Sequence, residues 1–297
     1  MPGTLTYRQS LPILRAALQE DRAGRDITSR LLYSVSARLM ARLVARDAGV
    51  VCGADVARWT FQLVDRRTHV RALQSDGASV SRGAVIAVVS GLARSVLSAE
   101  RTAVNLVSRL SGVATLTRHY VEAVRGTGVR IFDTRKTTPG LRVLERYAVR
   151  CGGGINHRFD LQSQILIKSN HLRGLSAVTT AGELTRLLNE TRRQAPRGCR
   201  IEVEVWEERL VPAAVAGGPD IIMLDNLPLA AVKRVMRSLH RASQRPSIEV
   251  SGGVTLRNVR AFAETGADRI AVGALTRSAR WLDIALEVER PFRRGAA

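Results

Sequence analysis

From about residue 129 onward, short β-rich runs alternate with stretches of helical periodicity, and this restricts the fold more than any other property of the chain. The runs fall at 129–132, 165–167, 201–205, 221–224, 248–250 and 270–272. Helices are expected between them at 141–150, 181–193, 229–242 and 256–265. Parallel strands need a long crossover, usually a helix, so this spacing argues for parallel βα units. A barrel is favoured over an open sheet.

Residues 5–112 read differently. An amphipathic helix near 11–20, alternating apolar residues at 37–44 and a short apolar run at 84–89 describe a small α+β domain. Between 98 and 119, Val104, Leu106, Val107, Leu110, Val113 and Leu116 form an apolar face at helical spacing, so one or two long helices should join the two parts. A length of 297 residues suits two domains, and 45% hydrophobic content supports a sizeable core. No apolar run approaches the roughly 18 residues of a membrane span, and the opening residues lack a signal-peptide pattern, so a cytoplasmic protein is expected. Cys52, Cys151 and Cys199 are odd in number and far apart, with no metal-ligand spacing, which argues against a disulfide framework or a zinc site.

Lysine usage then singles out one segment. Of 46 basic residues only Lys136, Lys168 and Lys233 are lysine, and two of these lie within DTRKTTPGLRVLERYAVRCGGGINHRFDLQSQILIKSNH, residues 133–171. Lysine is a mobile point charge and arginine a planar fork for paired oxygens, so the segment retains both kinds of cation. Gathered in an empty pocket, Arg135, Lys136, His157, Arg158 and Lys168 would repel by roughly 4 kcal/mol per charged pair 4 Å apart at an effective dielectric of 20. Such a cluster implies a polyanionic ligand. The plainer reading is a solvated basic face. Favouring a ligand, Pro139-Gly140 and the triple glycine 152–154 break the chain beside the cations and let backbone approach closely.

Asp133, Lys168, Glu204, Asp225, Ser251 and Gly273 each stand at or just past the carboxyl end of a β-rich run, where barrel enzymes place their reacting groups. One acid in that position is commonly a helix cap or loop salt bridge; six such placements, three of them acids, on successive units form a pattern. Ser251-Gly252-Gly253, before a helix near Thr255, and Gly273-Ala274, before one following Ser278, resemble phosphate sites. The net charge of +20 raises a nucleic-acid partner, but aromatics are only 4%, the basic residues are scattered and no nucleic-acid motif is present.

Nine blocks in order carry a resemblance: EDRAGRDITS (20–29), SAERTAVNLVSRLSGVAT (98–115), DTRKTTPGLR (133–142), CGGGINHR (151–158), LIKSNH (166–171), IEVEV (201–205), IMLDN (222–226), EVSGGVTLRNV (249–259) and AETGADRIAVGALTRS (263–278). The chain resembles the quinolinate phosphoribosyltransferases, also called carboxylating nicotinate-nucleotide pyrophosphorylases, over nearly its whole length.

The resemblance implies transfer of the phosphoribosyl group of phosphoribosyl pyrophosphate (PRPP) to the ring nitrogen of quinolinate. Carbon dioxide is lost, giving nicotinate mononucleotide and pyrophosphate, with Mg²⁺ accompanying PRPP. It implies an α/β fold: an amino-terminal α/β-sandwich domain (1–112), an incomplete parallel α/β barrel of about seven strands (113–276) and a carboxyl-terminal segment (277–297) returning to the first domain. A homodimer with shared active sites follows. By family pattern Arg101, Arg135, His157, Arg158 and Lys168 line the dicarboxylate site, with Thr134 in the same DTRK motif. Arg101 arrives across the dimer interface, and Lys136 reaches PRPP. Glu204 and Asp225 face the ribose hydroxyls and the metal, indirectly through PRPP and water. Ser251, Gly252 and Gly253, with Val272, Gly273 and Ala274, hold phosphate. Lys136, Lys168, Glu204 and Asp225 are the expected catalytic set.

Several roles have alternatives. Arg101 reads equally as a surface residue on a helix, and His157 as a residue ordering the glycine turn. Glu202 shares a strand face with Glu204 and is a possible supporting partner; His69, His119 and His240 have no motif around them. Asp160, Ser163 and Ser169 depart from the usual Gly, acid and acid, Arg25 stands for Gly and Arg277 for His. The first three flank the acceptor site, which keeps in view a paralogous enzyme for another pyridine carboxylate and, more remotely, a non-catalytic nucleic-acid-binding relative.

Overall fold

The computed structural model describes residues 4–175, 180–239 and 245–289. In chain order the elements are α1 (Tyr7–Glu20), α2 (Ile27–Leu32), β1 (Arg38–Ala45), β2 (Gly49–Val50), α3 (Ala54–Val64), β3 (His69–Ala72), β4 (Ser79–Val80), β5 (Val85–Leu92) and the 31-residue α4 (Ala93–Ala123). Then come β6 (Arg130–Phe132), α5 (Arg142–Cys151), β7 (Ile165–Ile167), α6 (Ser169–Gly174), α7 (Ala181–Gln194), β8 (Ile201–Val205), α8 (Val211–Ala216) and β9 (Ile221–Asp225). The series ends with α9 (Leu229–Leu239), β10 (Ser247–Ser251), α10 (Val259–Ala263), β11 (Arg269–Ala271), α11 (Ala274–Arg277) and β12 (Ile284–Val288). The expected continuation of α9 to residue 242, His240, and the end of the carboxyl-terminal segment from 290 onward lie outside the described residues.

Two compact units result: Met1–Arg118 with Thr137–Gly153 and Leu275–Ala297, and His119–Lys136 with Gly154–Ala274. The first holds an antiparallel sheet ordered β12-β1-β5-β3 and a short β2-β4 pair. Alternate residues of β1 and β5 turn inward, so Leu39, Leu43 and Val89 pack with Phe61 of α3 and Val96 and Val107 of α4. Burying one such side chain fully contributes about 1.5–3 kcal/mol. Helix ends are sealed locally: Thr6 and Gln9 form a capping box at α1, and Asp26 accepts the Ser29 amide at α2.

Segment 137–153 belongs to this first unit although it lies between two strands of the other. Buried Glu145 draws it in, accepting from Arg109 at 2.7 and 3.0 Å and from the Thr138 amide and hydroxyl. Tyr147 donates to Asp76 at 2.8 Å, and Arg118 donates to the Gly152 carbonyl at 3.1 Å.

The second unit is the parallel sheet of an incomplete α/β barrel, ordered β6-β11-β10-β9-β8-β7. Among the described residues six strands form this sheet, in keeping with the incomplete barrel expected from the sequence. Next to β6, Ile155 makes a single parallel bridge to Phe132. Asn156 and His157 then turn to the Asp133 carboxylate instead of extending a ladder. Buried Ile201, Val203, Ile221, Ile222, Leu224, Ile248, Val250 and Ile270 supply the apolar side of the sheet.

Candidate active site

Strand register brings the polar residues to one end of this sheet. Phe132, Ala271, Ser251 and Asp225 are neighbours across β6, β11, β10 and β9. The ladder runs one residue further, Val272 donating to the Phe132 carbonyl and Asn226 to that of Ser251. Beyond that row the chain leaves as Thr134-Arg135-Lys136, Gly273-Ala274 and Gly252-Gly253. On β8, Glu204 pairs with Met223, two register positions below Asp225 and two residues beyond Glu202 on the same face. Lys168 directly follows β7, as expected from its place after the run.

The cations differ in freedom. Lys136 and Lys168 are exposed, and the Lys136 stem lies over Gly273, where an added Cβ would stand 3.2 Å from Lys136 Cδ. Arg135 is half-buried, with a buried Nε that has no hydrogen-bond acceptor, a strained condition for a charged fork. Arg158 donates to the Gln164 carbonyl at 2.9 Å; burial, and then the charge of Arg135, lower its pKa. Arg101 is exposed on α4 in the first unit.

The acids are held by neutral donors. Ser169 gives its hydroxyl and its amide to Glu204 Oε1, at 2.6 and 3.3 Å. Asn226 gives Nδ2 to Asp225 Oδ2 at 2.8 Å. Burial, and then the charge of Glu204, push the Asp225 carboxyl above its ordinary range, while Asn226, Lys136 and Ser251 pull it back. Two carboxylates this close, with Lys136 near, suit a cationic or metal-bound ligand.

The glycine loops take the expected places with altered helix starts. Gly252 and Gly253 have φ of 86° and 61°, left-handed values open to glycine. Asn258 closes their turn by accepting the Thr255 amide and donating to the Gly253 carbonyl, so α10 begins at Val259, later than the sequence suggested. After Gly273 a short helix starts at once, at Ala274, and the chain beyond Ser278 leads to β12.

Below the rim lies a buried ionic group. His157 Nε2 is 3.2 Å from Glu202 and 3.3 Å from Glu249, and Arg269 Nε is 2.8 Å from Glu249. Gln164 donates to Glu202 at 2.5 Å. Burial by itself would lower the imidazole pKa, but Glu202 and Glu249 outweigh it and hold it up at about 9. The Arg158 amide, 2.8 Å from Nδ1, opposes a second ring proton. Two carboxylates prevail over one neutral amide because charge-assisted contacts are about twice as strong. His157 is thus buried and engaged at both ring nitrogens, anchored further by its own amide on Asp133.

Among the described residues, two groups have ligand atoms close enough for a metal: His157-Glu202-Glu249, and Cys52-Asp76-Cys151 in the first unit. In the former, the imidazole and Arg269 already stand against the carboxylates. In the latter, Asp76 is occupied by the Gly53 and Ala54 amides and by Tyr147, and burial followed by Cys151 raises the Cys52 thiol well above its usual pKa. Cys52 and Cys151 meet despite the sequence separation that made them look unrelated.

Sequence reasoning missed Ser169 and Asn226 as partners of the acids, and Gln164, Glu249 and Arg269 as partners of His157 and Glu202. Ser169 had been noted only as a departure and Asn226 only within a motif. Acids and an Arg inside β-rich runs were the available signal for Glu249 and Arg269.

Comparison with known proteins follows this geometry. The family profile described as "Quinolinate phosphoribosyl transferase, N-terminal domain" matches residues 26–111, and that described as "Quinolinate phosphoribosyl transferase, C-terminal domain" matches residues 113–287. The chain is 41% identical over 279 residues to the nicotinate-nucleotide pyrophosphorylase [carboxylating] of Mycobacterium leprae, covering 93% of this chain and 95% of that one. It is 39% identical over 279 residues to a probable nicotinate-nucleotide pyrophosphorylase [carboxylating] of Synechocystis sp., covering 94% and 92%. Among solved structures, NadC from Streptococcus pyogenes superposes with a TM-score of 0.89 at 34% identity, covering 98% of this chain and 99% of that one.

Proposed function

The chain belongs to the quinolinate phosphoribosyltransferase family, and from that premise we propose how its own residues divide the reaction. The enzyme transfers the phosphoribosyl group of PRPP to quinolinate with decarboxylation, forming nicotinate mononucleotide, carbon dioxide and pyrophosphate in NAD biosynthesis. The observation that carries the assignment of residues is the shared register end of β6, β11, β10 and β9. It gathers cations, two carboxylates and two glycine turns at one rim.

Arg135 and Arg158 hold the two carboxylates of quinolinate with Lys168 beside them, and the unsatisfied Nε of Arg135 is completed by substrate. Fixing the ring this way aims its nitrogen at the sugar, an orientation effect. His157 supports the same site from beneath. Lys136, flanked by Thr134, crosses Gly273 to reach the pyrophosphate of PRPP. Backbone amides of Ser251, Gly252 and Gly253, and of Val272, Gly273 and Ala274, receive phosphate.

As pyrophosphate leaves, positive charge develops on the ribose, and Glu204 and Asp225 stand where carboxylates stabilise it. Mg²⁺ bound with PRPP, near Glu204 and Asp225 and reached through water, would offset the negative charge of the leaving group. The alkylated ring nitrogen is itself cationic and stabilises the carbanion left by carbon dioxide, which then takes a proton from water to form the C–H bond of the product, so no strong base is required.

The working form we propose is a cytoplasmic homodimer, with Arg101 of one copy entering the site of the other. Supporting association, α2 and the turn after it leave Ile27, Leu31, Leu32 and Val35 73–80% exposed, an apolar group rare on a monomer. The departures at 160 and 163 compensate one another. Asp160 accepts the Gln162 and Ser163 amides while Ser163 Oγ accepts those of Phe159 and Asp160, so the acid has exchanged places within one turn.

The direct test supplies purified protein with PRPP, Mg²⁺ and quinolinate, nicotinate or nicotinamide in parallel, measuring mononucleotide and carbon dioxide. Both products are expected from quinolinate alone; turnover of another acceptor in its place would overturn the assignment.

A further inference from the structure

Asn226 is exposed at the carboxyl end of β9 with a left-handed backbone, φ 56°. Only it and Arg22 among the described non-glycine residues have positive φ. Asn tolerates this region better than most side chains, so a turn alone could account for it. Its contacts are more specific than a turn requires. The backbone amide donates to the Ser251 carbonyl at 2.8 Å, tying the β9 exit to the β10 exit. Nδ2 donates to Asp225 Oδ2 at 2.8 Å. Oδ1 lies over Gly252, whose φ of 86° and missing side chain make room: a Cβ there would collide with the Asn226 amide group and come within 2.9 Å of its backbone nitrogen.

One small side chain therefore touches both a carboxylate and a glycine turn. Asn258 fixes the far side of that turn through the Gly253 carbonyl at 3.0 Å, leaving Asn226 as the contact on the Asp225 side.

We propose that Asn226 is a positioning residue for PRPP, aiming the Asp225 carboxylate at the ribose while setting the height of the Gly252-Gly253 turn for phosphate. The inference rests on the roles assigned above to Asp225 and residues 251–253. Its action is on the separation between two contact points of one substrate. Loss of the side chain should therefore weaken PRPP and leave quinolinate little affected.

Asn226→Gly keeps the left-handed backbone and removes the side chain. Asn226→Asp keeps the shape and the tolerance of positive φ but replaces the donor by a third carboxylate. Each is compared with the parent and with Asp225→Asn in steady-state kinetics, in calorimetric titration of PRPP with Mg²⁺ and no quinolinate, and in thermal melting. The expected result is an increase of about 10-fold in both the KM and the Kd of PRPP for Asn226→Gly. Asn226→Asp should lose at least as much, with the quinolinate KM of both within about twofold of the parent. If Asn226→Gly does not fold, the neutral Asn226→Ser, which lacks Nδ2, decides the matter, since a mere turn former would keep parental PRPP affinity there, whereas the added charge of Asn226→Asp repels PRPP whatever the role of the residue. Parental PRPP affinity in the folded Asn226 variants, with Asp225→Asn impaired, overturns the proposal and leaves the role of Asp225 standing. Parental behaviour of Asp225→Asn overturns both.

Discussion

Ser169 gives its hydroxyl hydrogen to Glu204 Oε1 across 2.6 Å, so a neutral donor stands against a carboxylate where the family pattern places a second acid. A serine at this position leaves one negative charge fewer beside Lys168 than an acid would. Ser169→Asp would restore it and force two carboxylates together, at an upper limit of about 4 kcal/mol for charges 4 Å apart at an effective dielectric of 20. Solvent at this half-exposed position reduces the effect to about 1 kcal/mol. Quinolinate kcat/KM is expected to fall about 5-fold, while Ser169→Ala changes it less. Unchanged acceptor affinity and turnover in Ser169→Asp would remove any special role for the serine.

Arg135 is the cation whose buried nitrogen lacks an acceptor. Arg135→Lys keeps the charge and loses the fork, so the quinolinate KM should rise about 30-fold, with PRPP KM close to the parent value. Equal changes for both substrates would mean that the residue serves the site as a whole.

The two glycine loops should differ in tolerance. At Gly273 an added methyl meets flexible Lys136 Cδ at 3.2 Å and Thr134 Oγ1 at 3.6 Å, both able to yield. Gly252 combines φ of 86° with a collision against the Asn226 amide. Gly273→Ala is expected to raise PRPP KM only a few-fold, about 1 kcal/mol or less. Gly252→Ala should cost about tenfold or more and lower the melting temperature. The reverse order in parallel assays would contradict this account of the loops.

His157 gives stability a defined pH dependence. Its folded pKa of about 9 lies above the ordinary 6.5, so the contribution is full below 6.5 and disappears as pH rises through 9. Denaturant unfolding at pH 6.5 and pH 9.5 should show the parent losing more stability than His157→Asn over that interval. A parallel decline in both proteins would place the titrating group elsewhere.

Asp160 and Ser163 share one turn, so their effects should not add. Asp160→Gly and Ser163→Ala are each expected to lower the melting temperature, and the double variant to melt near the lower of the two. Strict additivity would show that the two side chains act independently.

Much of the second unit was legible because its signals are local. β7 and β8 match their apolar runs at 165–167 and 201–205, and Lys168, Glu204, Asp225 and Ser251 stand at strand ends as spacing required. What escaped depends on contacts distant in sequence. Glu145 draws 137–153 into the first unit through Arg109, a partner 36 residues away. Glu249 and Arg269 meet His157 only after the sheet has formed, as Cys52 meets Cys151 only after α5 docks. Beside β6, Ile155 bridges Phe132 and the Asp133 carboxylate then takes Asn156 and His157, contacts that span more than twenty residues of sequence.

Lysine is so scarce in this chain that its placement becomes a chemical handle. Lys136 and Lys168 at the rim, and Lys233 on α9, are the only ε-amines, and all three are exposed. An amine-directed acylating reagent therefore has few side-chain targets, and two of the three lie at the rim proposed to bind substrate. Labelling should titrate enzyme activity, bound PRPP or quinolinate should shield it, and coupling the protein to a surface through its amines would silence it.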